Sequence, residues 1–318
     1  MGTSFFWVPL QTILSDATEY KYRSEAFGVY SQQIGMGVFF GATFGFFIFG
    51  WASGTGGGSA LMYSPLLIYG VVNVYGGLRA LKLAPMVPLL ELPAEHTDSF
   101  TEHQEEDSNS FGDTLFWLSL IFLFAIVFLE QMIGSLVAPF LEVFLLKYIS
   151  GDPMNIAIAY APGAVLSFVL APKMGKIADK INPRYWLAST SALGALTTWF
   201  LVNSTELWQF TMLFIVDSTV ISSAGLVLSK IISDVSKTRR GSVFGTQGGV
   251  SNFGAIAGPV MGGILWELIG DRAPFLLSIG VEAFLAVVYL VSISYILTQL
   301  KGRTEEKRET PYVPPLLR

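Results

Sequence analysis

Cysteine is absent from this chain of 318 residues, and charged residues are scarce. Without cysteine, no disulfide framework and no cysteine-ligated metal or redox centre can form. Charged side chains make up only 14% of the residues, whereas hydrophobic side chains make up 52%. Soluble globular domains carry about 25% charged residues. This composition therefore favours a polytopic membrane protein.

Basic residues are also too few to suggest a nucleic-acid partner. The formal net charge is -5, with 19 lysines and arginines against 24 aspartates and glutamates. Much of the negative charge lies in one acidic segment and the basic residues lie beside apolar segments, which argues against a nucleic-acid-binding surface. No nucleophile, base and orienting partner occur in a catalytic pattern. We therefore predict that the chain is not an enzyme and uses no cofactor.

Nine long apolar segments make up most of the sequence. A helix needs about 20 apolar residues to cross a bilayer. The hydrophobicity of these segments is continuous rather than alternating, which predicts an all-α membrane protein with nine transmembrane helices. The fourth segment is overlong and contains Gly134 and Pro139, so we expect it to be kinked or broken. The segments lie near residues 2–18, 26–51, 59–80, 114–147, 154–174, 185–203, 207–232, 242–268 and 275–298.

Lysines and arginines lie almost entirely at one set of segment ends. When the amino terminus is placed outside, only Lys147 and Arg272 fall on the external side. This asymmetry predicts a multi-pass protein of the plasma membrane with an external amino terminus and a cytoplasmic carboxy terminus. A removable signal peptide at residues 1–14 is the weaker interpretation, because no basic region precedes it. The cytoplasmic set is Lys21, Arg23, Arg79, Lys82, Lys173, Lys176, Lys180, Arg184, Lys230, Lys237, Arg239, Arg240, Lys301, Arg303, Lys307, Arg308 and Arg318.

A polar segment over residues 83–112 separates two groups of apolar segments. It combines prolines with an acidic run and cannot bury enough apolar area to fold alone, so we expect a flexible cytoplasmic linker. His96 and His103 in this linker could ligate a metal ion, but no preformed scaffold holds them, and we predict no metal site. The predicted domains are a partial amino-terminal bundle of three helices at 1–82, this acidic linker, a six-helix bundle at 113–298 and a charged cytoplasmic tail at 299–318.

The chain contains a weak internal repeat of the kind found in secondary transporters. Residues near its beginning align with later residues at a constant offset. The second copy is preceded by four apolar segments after the polar segment at 83–112, whereas the first copy is preceded by only one. If the halves were once equal, about three amino-terminal spans are missing. The aligned pairs are Arg23 and Arg240, Phe27 and Phe244, Gly28 and Gly245, Gly37 and Gly254, Gly41 and Gly258, and Gly45 and Gly262.

Both copies contain a stripe of glycines at every fourth residue. Residues four apart share one face of a helix, so each stripe allows a neighbouring helix to approach closely. We expect these residues to serve helix packing. The first stripe is Gly37, Gly41 and Gly45, and the second is Gly254, Gly258 and Gly262 with the adjoining Pro259.

The loop from Gly175 to Arg184, called here the signature loop, is the most specific motif of the sequence. It contains Gly-Lys-Ile-Ala-Asp-Lys and then Asn-Pro-Arg, at a predicted cytoplasmic turn. It resembles the signature loop of the major facilitator superfamily, in which a glycine precedes Ala-Asp-basic, a turn and a further basic residue. Further elements similar to that family are Asp16 with Arg23, Asp234 with Arg240, and the Gly-Pro-x-x-Gly-Gly run at 258–263.

This resemblance covers essentially the whole chain and implies the two-bundle fold of the family. The nine segments would correspond to helices four to twelve of its twelve helices, with the first three missing. The match to the family's antiporter motif is incomplete, because Ala42 stands in the first copy where Pro259 stands in the second.

We expect the signature loop to act as a conformational latch. An aspartate near a helix amino terminus binds unpaired backbone donors and can also pair with an arginine. The resemblance implies that this loop abuts the segment at residues 24–28. The alternative, that the basic residues only set topology, does not explain the aspartate and the glycine. The residues assigned to the latch are Gly175, Asp179, Arg184, Asp16, Arg23, Asp234 and Arg240.

Two carboxylates lie near the middle of predicted spans, where ionisable groups are costly. Glu130 and Asp217 are candidates for proton coupling, because a carboxylate whose surroundings alternate can bind a proton on one side and release it on the other. The alternative is that they only form hydrogen bonds between helices. Glu142 and Glu282 lie nearer the membrane faces and are assigned structural or interfacial roles. Polar contacts to a solute are expected from Gln131, Asn252, Gln32, Gln33 and Tyr160.

These features predict secondary active transport of a small organic solute by alternating access. Proton coupling and the export of a drug or metabolite are the expected form. The expected partners are the lipid bilayer, the solute, protons or another coupling ion, and a separate chain if one supplies the missing helices. The alternative is a truncated or split gene product that serves as a non-transporting partner subunit or has no function.

Overall fold

A computed structural model describes residues 2–54, 64–83, 110–235 and 240–309. Most of the predicted linker at 83–112, with His96 and His103, lies outside these residues, as does the end of the predicted tail at 299–318. The described residues form nine α-helices and one short 3₁₀ helix at Tyr20–Tyr22. The α-helices are α1 at Gly2–Ala17, α2 at Arg23–Gly54, α3 at Ser64–Leu83, α4 at Ser110–Tyr148, α5 at Pro153–Ala178, α6 at Pro183–Val202, α7 at Leu207–Val235, α8 at Arg240–Leu268 and α9 at Ala273–Glu309.

Each predicted apolar segment falls on one of these helices, so the prediction of an all-helical protein is confirmed. The number of membrane-spanning helices is different from the prediction. In the described part of the chain, four helices rather than nine are long and apolar enough to cross a membrane. They comprise Leu118–Tyr148 of α4, Asn155–Ala178 of α5, Leu207–Asp234 of α7 and Ala273–Ile293 of α9.

The remaining helices fall short for local reasons. Helix α1 has only 16 residues, fewer than the roughly 20 that a straight span requires. Helices α6 and α8 interleave serine, threonine and glycine with apolar residues, which lowers their mean hydropathy. A count based on apolar runs alone therefore exceeds the number of strongly apolar helices.

The fourth segment was predicted to be kinked or broken, and the predicted break is absent, whereas the kink stays a prediction. Helix α4 continues over 39 residues without interruption, with Pro139 inside it. A proline removes one hydrogen bond from a helix, and neighbouring groups can compensate for that loss in a membrane helix. A single proline therefore does not end α4.

The beginning of α6 and the end of α8 show how particular residues set helix boundaries. Asn182 begins α6 as its N-cap, because its side chain accepts the backbone N–H of Arg184 at 3.0 Å, and Pro183 follows in the first turn. Helix α8 ends where Gly270 adopts a φ of 137° and donates its N–H to the carbonyl of Leu265. A residue with a side chain rarely adopts this conformation, so glycine permits the sharp turn into α9.

The chain divides into two compact units, residues 1–35 with 111–318, and residues 36–110. The first unit contains α1, the beginning of α2 and helices α4 to α9. Within it, α6 packs against α9, α5 against α7, and α1 against α8. Its described core has two apolar clusters, one around Phe27, Leu123, Ile231 and Phe244, the other around Phe144, Leu145, Phe210 and Phe275. The four-part domain division from the sequence stays a prediction.

The second glycine stripe lies against α4. A methyl group at Gly254 would come within 2.7 Å of the carbonyl oxygen of Phe128, and one at Gly258 would overlap Ser135 and Met132. The hydroxyl of Ser135 donates to the carbonyl of Gly254 at 3.2 Å across this contact. Backbones at this separation leave no room for side chains larger than hydrogen.

The first glycine stripe has different surroundings. Among the described residues, nothing lies within 4 Å of a methyl group placed at Gly37 or Gly41. The expectation that this stripe packs against another helix stays a prediction.

Candidate functional site: the cytoplasmic-end network and the buried carboxylates

The carboxylate of Asp179 lies at the amino end of α2. Its Oδ1 accepts the backbone N–H of Ser24 at 3.2 Å, and its Oδ2 accepts that of Glu25 at 2.9 Å. The first N–H groups of a helix have no partner within the helix, and a negative charge there is favourable. Asp179 therefore satisfies two unpaired donors of α2 across a gap of more than 150 residues in sequence.

Two glycines allow the signature loop to come this close to α2. A methyl group at Gly175 would collide with the backbone of Ser24, and one at Gly28 would lie 2.5 Å from the carbonyl oxygen of Ala171. The predicted contact between the signature loop and residues 24–28 is therefore present in the structure. The spacing of glycine and aspartate in the loop places a small residue beside the helix and a charge at its end.

Lys230 is the charged partner of Asp179. Its Nζ lies 2.6 Å from Oδ1 of Asp179, and the two side chains are only 4% and 6% exposed. The expectation of an arginine partner is wrong, because a lysine from α7 occupies this place. A buried pair of opposite charges compensates the cost of removing each from water.

Arg23 joins α2 to the end of α7. Its Nη1 lies 3.5 Å from Oδ1 of Asp234 and donates to Oγ of Ser233 at 3.1 Å. Its Nη2 donates to the carbonyls of Ser15 and Thr18. The arginine of the first repeat therefore pairs with the aspartate of the second, which links the two copies in space.

The aromatic ring of Tyr20 lies between the two cations. Nζ of Lys230 is 4.5 Å from the ring centre, and Cζ of Arg23 is 5.6 Å from it. Burial, together with the negative charge of Asp234, raises the pKa of Tyr20 to about 12. The phenol is therefore neutral at physiological pH, and its ring face attracts both cations.

The other residues assigned to the latch contribute less to this network. Asp16 is exposed and has its own interactions. The guanidinium of Arg184 lies 5.3 Å from the ring of its neighbour Tyr185. The side chain of Arg240 lies outside the described residues. We call the contacts of Asp179, Lys230, Arg23, Asp234 and Tyr20 the cytoplasmic-end network, after the side of the membrane on which the sequence predicts them to lie.

The two carboxylates predicted for proton coupling each have a hydroxyl partner. Tyr289 of α9 donates to Oε1 of Glu130, and Thr197 of α6 donates to Oδ1 of Asp217 at 2.5 Å. Asp217 is only 8% exposed. None of the three ion pairs among the described residues includes either carboxylate. Asp217 is therefore buried and Glu130 partly buried, and each has a hydroxyl partner but no basic partner among the described residues.

The five residues predicted to contact a solute are dispersed. Gln33, Gln131 and Asn252 are exposed, and Gln32 donates to the carbonyl of Val169 at 3.3 Å. The ring of Tyr160 packs against those of Phe210 and Phe214. No hydrogen bond joins any two of the five within the described ranges. Their role in binding a solute stays a prediction.

Sequence reasoning missed the partners of the charged residues. Lys230 was counted only as a topology marker, although a lysine at the end of an apolar span is a signal for a buried pair. Tyr20, Tyr289 and Thr197 carry no charge and stand out in no pattern. Their roles depend on which helix faces lie together, and hydropathy does not determine that.

An all-helical bundle with strongly apolar helices and buried carboxylates is typical of a polytopic membrane protein. The chain belongs to the Major Facilitator Superfamily, since the family profile matches residues 1–234 and 123–315. The members of this family are transporters, and no catalytic activity is indicated for the chain.

Curated relatives in this family have names that refer to drug resistance. The chain is 31% identical to tetracycline resistance protein class H of Pasteurella multocida over 60% of its own length and 46% of the relative's. It is 27% identical to tetracycline resistance protein class B of Escherichia coli over 52% of its own length and 42% of the relative's. It is 26% identical to multidrug resistance protein MdtG of Escherichia fergusonii over 80% of its own length and 64% of the relative's. The chain thus matches less than two thirds of each of these relatives.

Proposed function

We propose that this chain carries out secondary active transport of a small organic solute across the plasma membrane, with protons as the coupling ion. The supporting observation is that Glu130 and Asp217 lie in strongly apolar helices, with hydroxyl partners and, within the described part of the chain, no basic partner. Such a carboxylate is stabilised by binding a proton and can exchange it when its surroundings change. Family membership supports alternating access around a site near the middle of the membrane.

Export of drugs is the form of transport that the relatives favour. Their names refer to tetracycline and multidrug resistance. We propose an amphipathic drug or metabolite as the solute of this chain. Polar contacts to it are assigned to Gln131, Asn252, Gln32, Gln33 and Tyr160, as the sequence predicted.

The cytoplasmic-end network supports a latch that stabilises one state of the transport cycle. Asp179 holds the beginning of α2, and Arg23 holds the end of α7. When α2 moves away from the signature loop, all these contacts are lost together. Interactions that form and break as a group suit a change between two discrete states. An external amino terminus remains part of this proposal.

Transport into proteoliposomes with an imposed pH gradient tests the proposal. Tetracycline and ethidium serve as probes, and Glu130→Gln is compared with the unchanged protein. Glutamine keeps the shape and polarity of glutamate but cannot ionise. We expect the variant to lose accumulation driven by the pH gradient and to retain exchange of probe across the membrane at equal pH.

An exposed glutamate provides the matched control. Glu206 precedes α7 and is exposed, so Glu206→Gln should accumulate both probes like the unchanged protein. Accumulation by Glu130→Gln at the normal rate would exclude Glu130 from coupling. Absence of transport by the unchanged protein would favour the alternative of a non-transporting partner subunit.

A further inference from the structure

Glu282 of α9 is a third acidic residue whose carboxylate is buried. Its Oε1 accepts a long hydrogen bond of 3.4 Å from Ser278, and its Oε2 is buried without a hydrogen-bond partner. A methyl group at Gly194 would lie 3.0 Å from Oε2, so the carboxylate points at the backbone of α6. The expectation of a structural or interfacial role for Glu282 does not account for a buried, unpartnered oxygen.

Glu282 lies between the two carboxylates already described. Gly194 is three residues before Thr197, whose hydroxyl donates to Asp217 at 2.5 Å and lies 3.0 Å from the carbonyl oxygen of Gly194. In the other direction, Tyr289 lies two turns further along α9 and donates to Glu130. The charges of Asp217 and Glu130 both act on Glu282. Three acidic residues from α4, α7 and α9 therefore share one region.

Among the residues that the structure describes, no basic side chain forms an ion pair with these acidic groups. Around Glu282 lie Ser278 of its own helix and Gly194 of α6, and the charges of Asp217 of α7 and Glu130 of α4 act on it. The three ion pairs within the described ranges involve other residues. Several negative charges in a water-poor interior repel one another strongly. A proton on one of them removes that repulsion.

We propose that Glu282 binds a proton and joins Glu130 and Asp217 into one proton-binding cluster. The proposal rests on the proposed function, and it extends the coupling site from two carboxylates to three. A proton released by Asp217 or Glu130 binds to a carboxylate oxygen of Glu282 and leaves the donor ionised. The cluster as a whole can then hold a proton while its individual members exchange it.

Carbodiimide labelling of the purified full chain tests whether Glu282 holds a proton. Dicyclohexylcarbodiimide is apolar and reacts with protonated carboxyl groups, and peptide mass spectrometry locates the adduct. We expect an adduct on Glu282 that is lost as the pH rises, and none on the exposed Glu206. An unmodified Glu282 at every pH would overturn the proposal. The unchanged protein is labelled, so the result does not depend on the folding of a variant.

Infrared difference spectra between acid and alkaline pH provide a second measurement. Protonated carboxyl groups have a carbonyl band that carboxylates lack. We expect Glu282→Gln to lose one such band and to alter the remaining bands, because its neighbours lose a charged partner. Spectra equal to those of the unchanged protein would overturn the proposal, since a merely structural glutamate that stays ionised contributes no carbonyl band.

These measurements also separate the inference from the proposed function. Labelling and infrared bands report proton binding whether or not the chain moves a solute. Absence of probe transport with a labelled Glu282 would reject transport and keep the proton cluster. Proton-driven probe transport with an unlabelled Glu282 would keep transport and reject the third carboxylate.

Discussion

The pair formed by Lys230 and Asp179 places two opposite charges where water hardly reaches. Each side chain is almost fully buried, and the distance between Nζ and Oδ1 is 2.6 Å. Removing one member of such a pair leaves a buried charge without compensation, which is more costly than removing both. The pair therefore tests whether the cytoplasmic-end network stabilises the fold.

Lys230→Met should lower the free energy of unfolding by about 3–5 kcal/mol, the usual cost of leaving a buried charge unpaired. The double variant Asp179→Asn with Lys230→Met should lose less than the sum of the two single losses, since no lone charge remains. Unfolding followed by tryptophan fluorescence in detergent measures all three variants.

The exposed pair of Lys147 and Asp271 is the control for this cycle. Lys147 is 57% exposed, so solvent screens its interaction with Asp271. Lys147→Met should therefore leave unfolding nearly unchanged. If Lys147→Met and Lys230→Met lowered the free energy of unfolding equally, the assignment of Lys230 and Asp179 as a buried pair would be contradicted.

At the scale of residues, the sequence predicted the anionic member of the network and missed its partner. Asp179 is recognisable because it follows a glycine at a fixed distance in a basic loop. Lys230 lies 51 positions further along the chain, and only the packing of α5 against α7 brings it to Asp179. A lysine at the end of an apolar span can suggest a buried pair, but the sequence alone does not show which residue is its partner.

Helices α4 and α8 lie in close contact along the second glycine stripe. The contact depends on the absence of side chains at Gly254 and Gly258, where the atoms of α4 occupy the space of a methyl group. Gly249, on the same helix, has nothing within 4 Å of such a methyl group among the described residues. Alanine substitutions at Gly258 and Gly249 therefore separate the effect of helix packing on stability from the effect of helix propensity.

Gly258→Ala should destabilise the protein by about 1–3 kcal/mol, the cost of forcing extra volume into a packed interface. Gly249→Ala should be neutral or stabilise by up to about 1 kcal/mol, because alanine favours a helix more than glycine does. Thermal unfolding of both variants under one set of conditions measures the difference. A Gly258→Ala protein as stable as Gly249→Ala would show that α4 and α8 are not held together at this stripe.

The contact between the signature loop and α2 is also an interaction between elements. Asparagine at position 179 keeps an oxygen that can accept from α2 but removes the charge that Lys230 and the helix end bind. We expect Asp179→Asn to be less stable than the unchanged protein because Lys230 is left unpaired, to transport more slowly, and to increase the fraction of molecules in which α2 is separated from the loop.

Spin labels on cysteines introduced at the exposed Tyr22 and Lys180 measure that fraction, since the chain has no other cysteine. Glu206→Gln provides a control without a latch contact. If Asp179→Asn and the unchanged protein give the same distance distribution, Asp179 supports only the local turn and not a latch.

At the scale of elements, hydrophobic runs predicted where every described helix lies. They did not predict which helices are strongly apolar or that α4 stays continuous through Pro139. The length of an apolar run can be read directly from the sequence, and it indicates where a helix lies. The effect of a single proline depends on its neighbours in space, which a sequence does not display.

At the scale of the whole molecule, charged contacts lie at opposite ends of the helices. The cytoplasmic-end network joins the amino end of α2 with the carboxy ends of α5 and α7. The other set joins Lys147 and Tyr148, at the end of α4, to Asp271 in the turn before α9. Their hydrogen bonds hold the pKa of Asp271 below its usual range.

Cysteine substitution tests the predicted orientation of these two ends. Gly151 and Thr205 lie in exposed turns that the positive-inside rule places outside, and the exposed Lys180 lies in the signature loop that it places in the cytoplasm. A membrane-impermeant maleimide should label cysteines at 151 and 205 in intact cells, and one at 180 only after the cells are opened. Labelling of all three in intact cells would contradict the predicted topology.

The solute is what the sequence reveals least. Its candidate contacts lie on four helices, so its chemistry depends on the arrangement of those helices. Related folds bind many kinds of molecule, and family membership does not decide between them.

Asp179 accepts hydrogen bonds from main-chain N–H groups of α2. The contact therefore tolerates changes of the α2 side chains. Any residue with a backbone N–H can serve at positions 24 and 25, and only proline lacks the hydrogen. Ser24 is buried and therefore limited to a small side chain, whereas Glu25 is only half-buried. Side chains at position 25 can therefore diverge while the docking geometry persists. A survey of side-chain identity alone would overlook a contact on which the position of α2 depends.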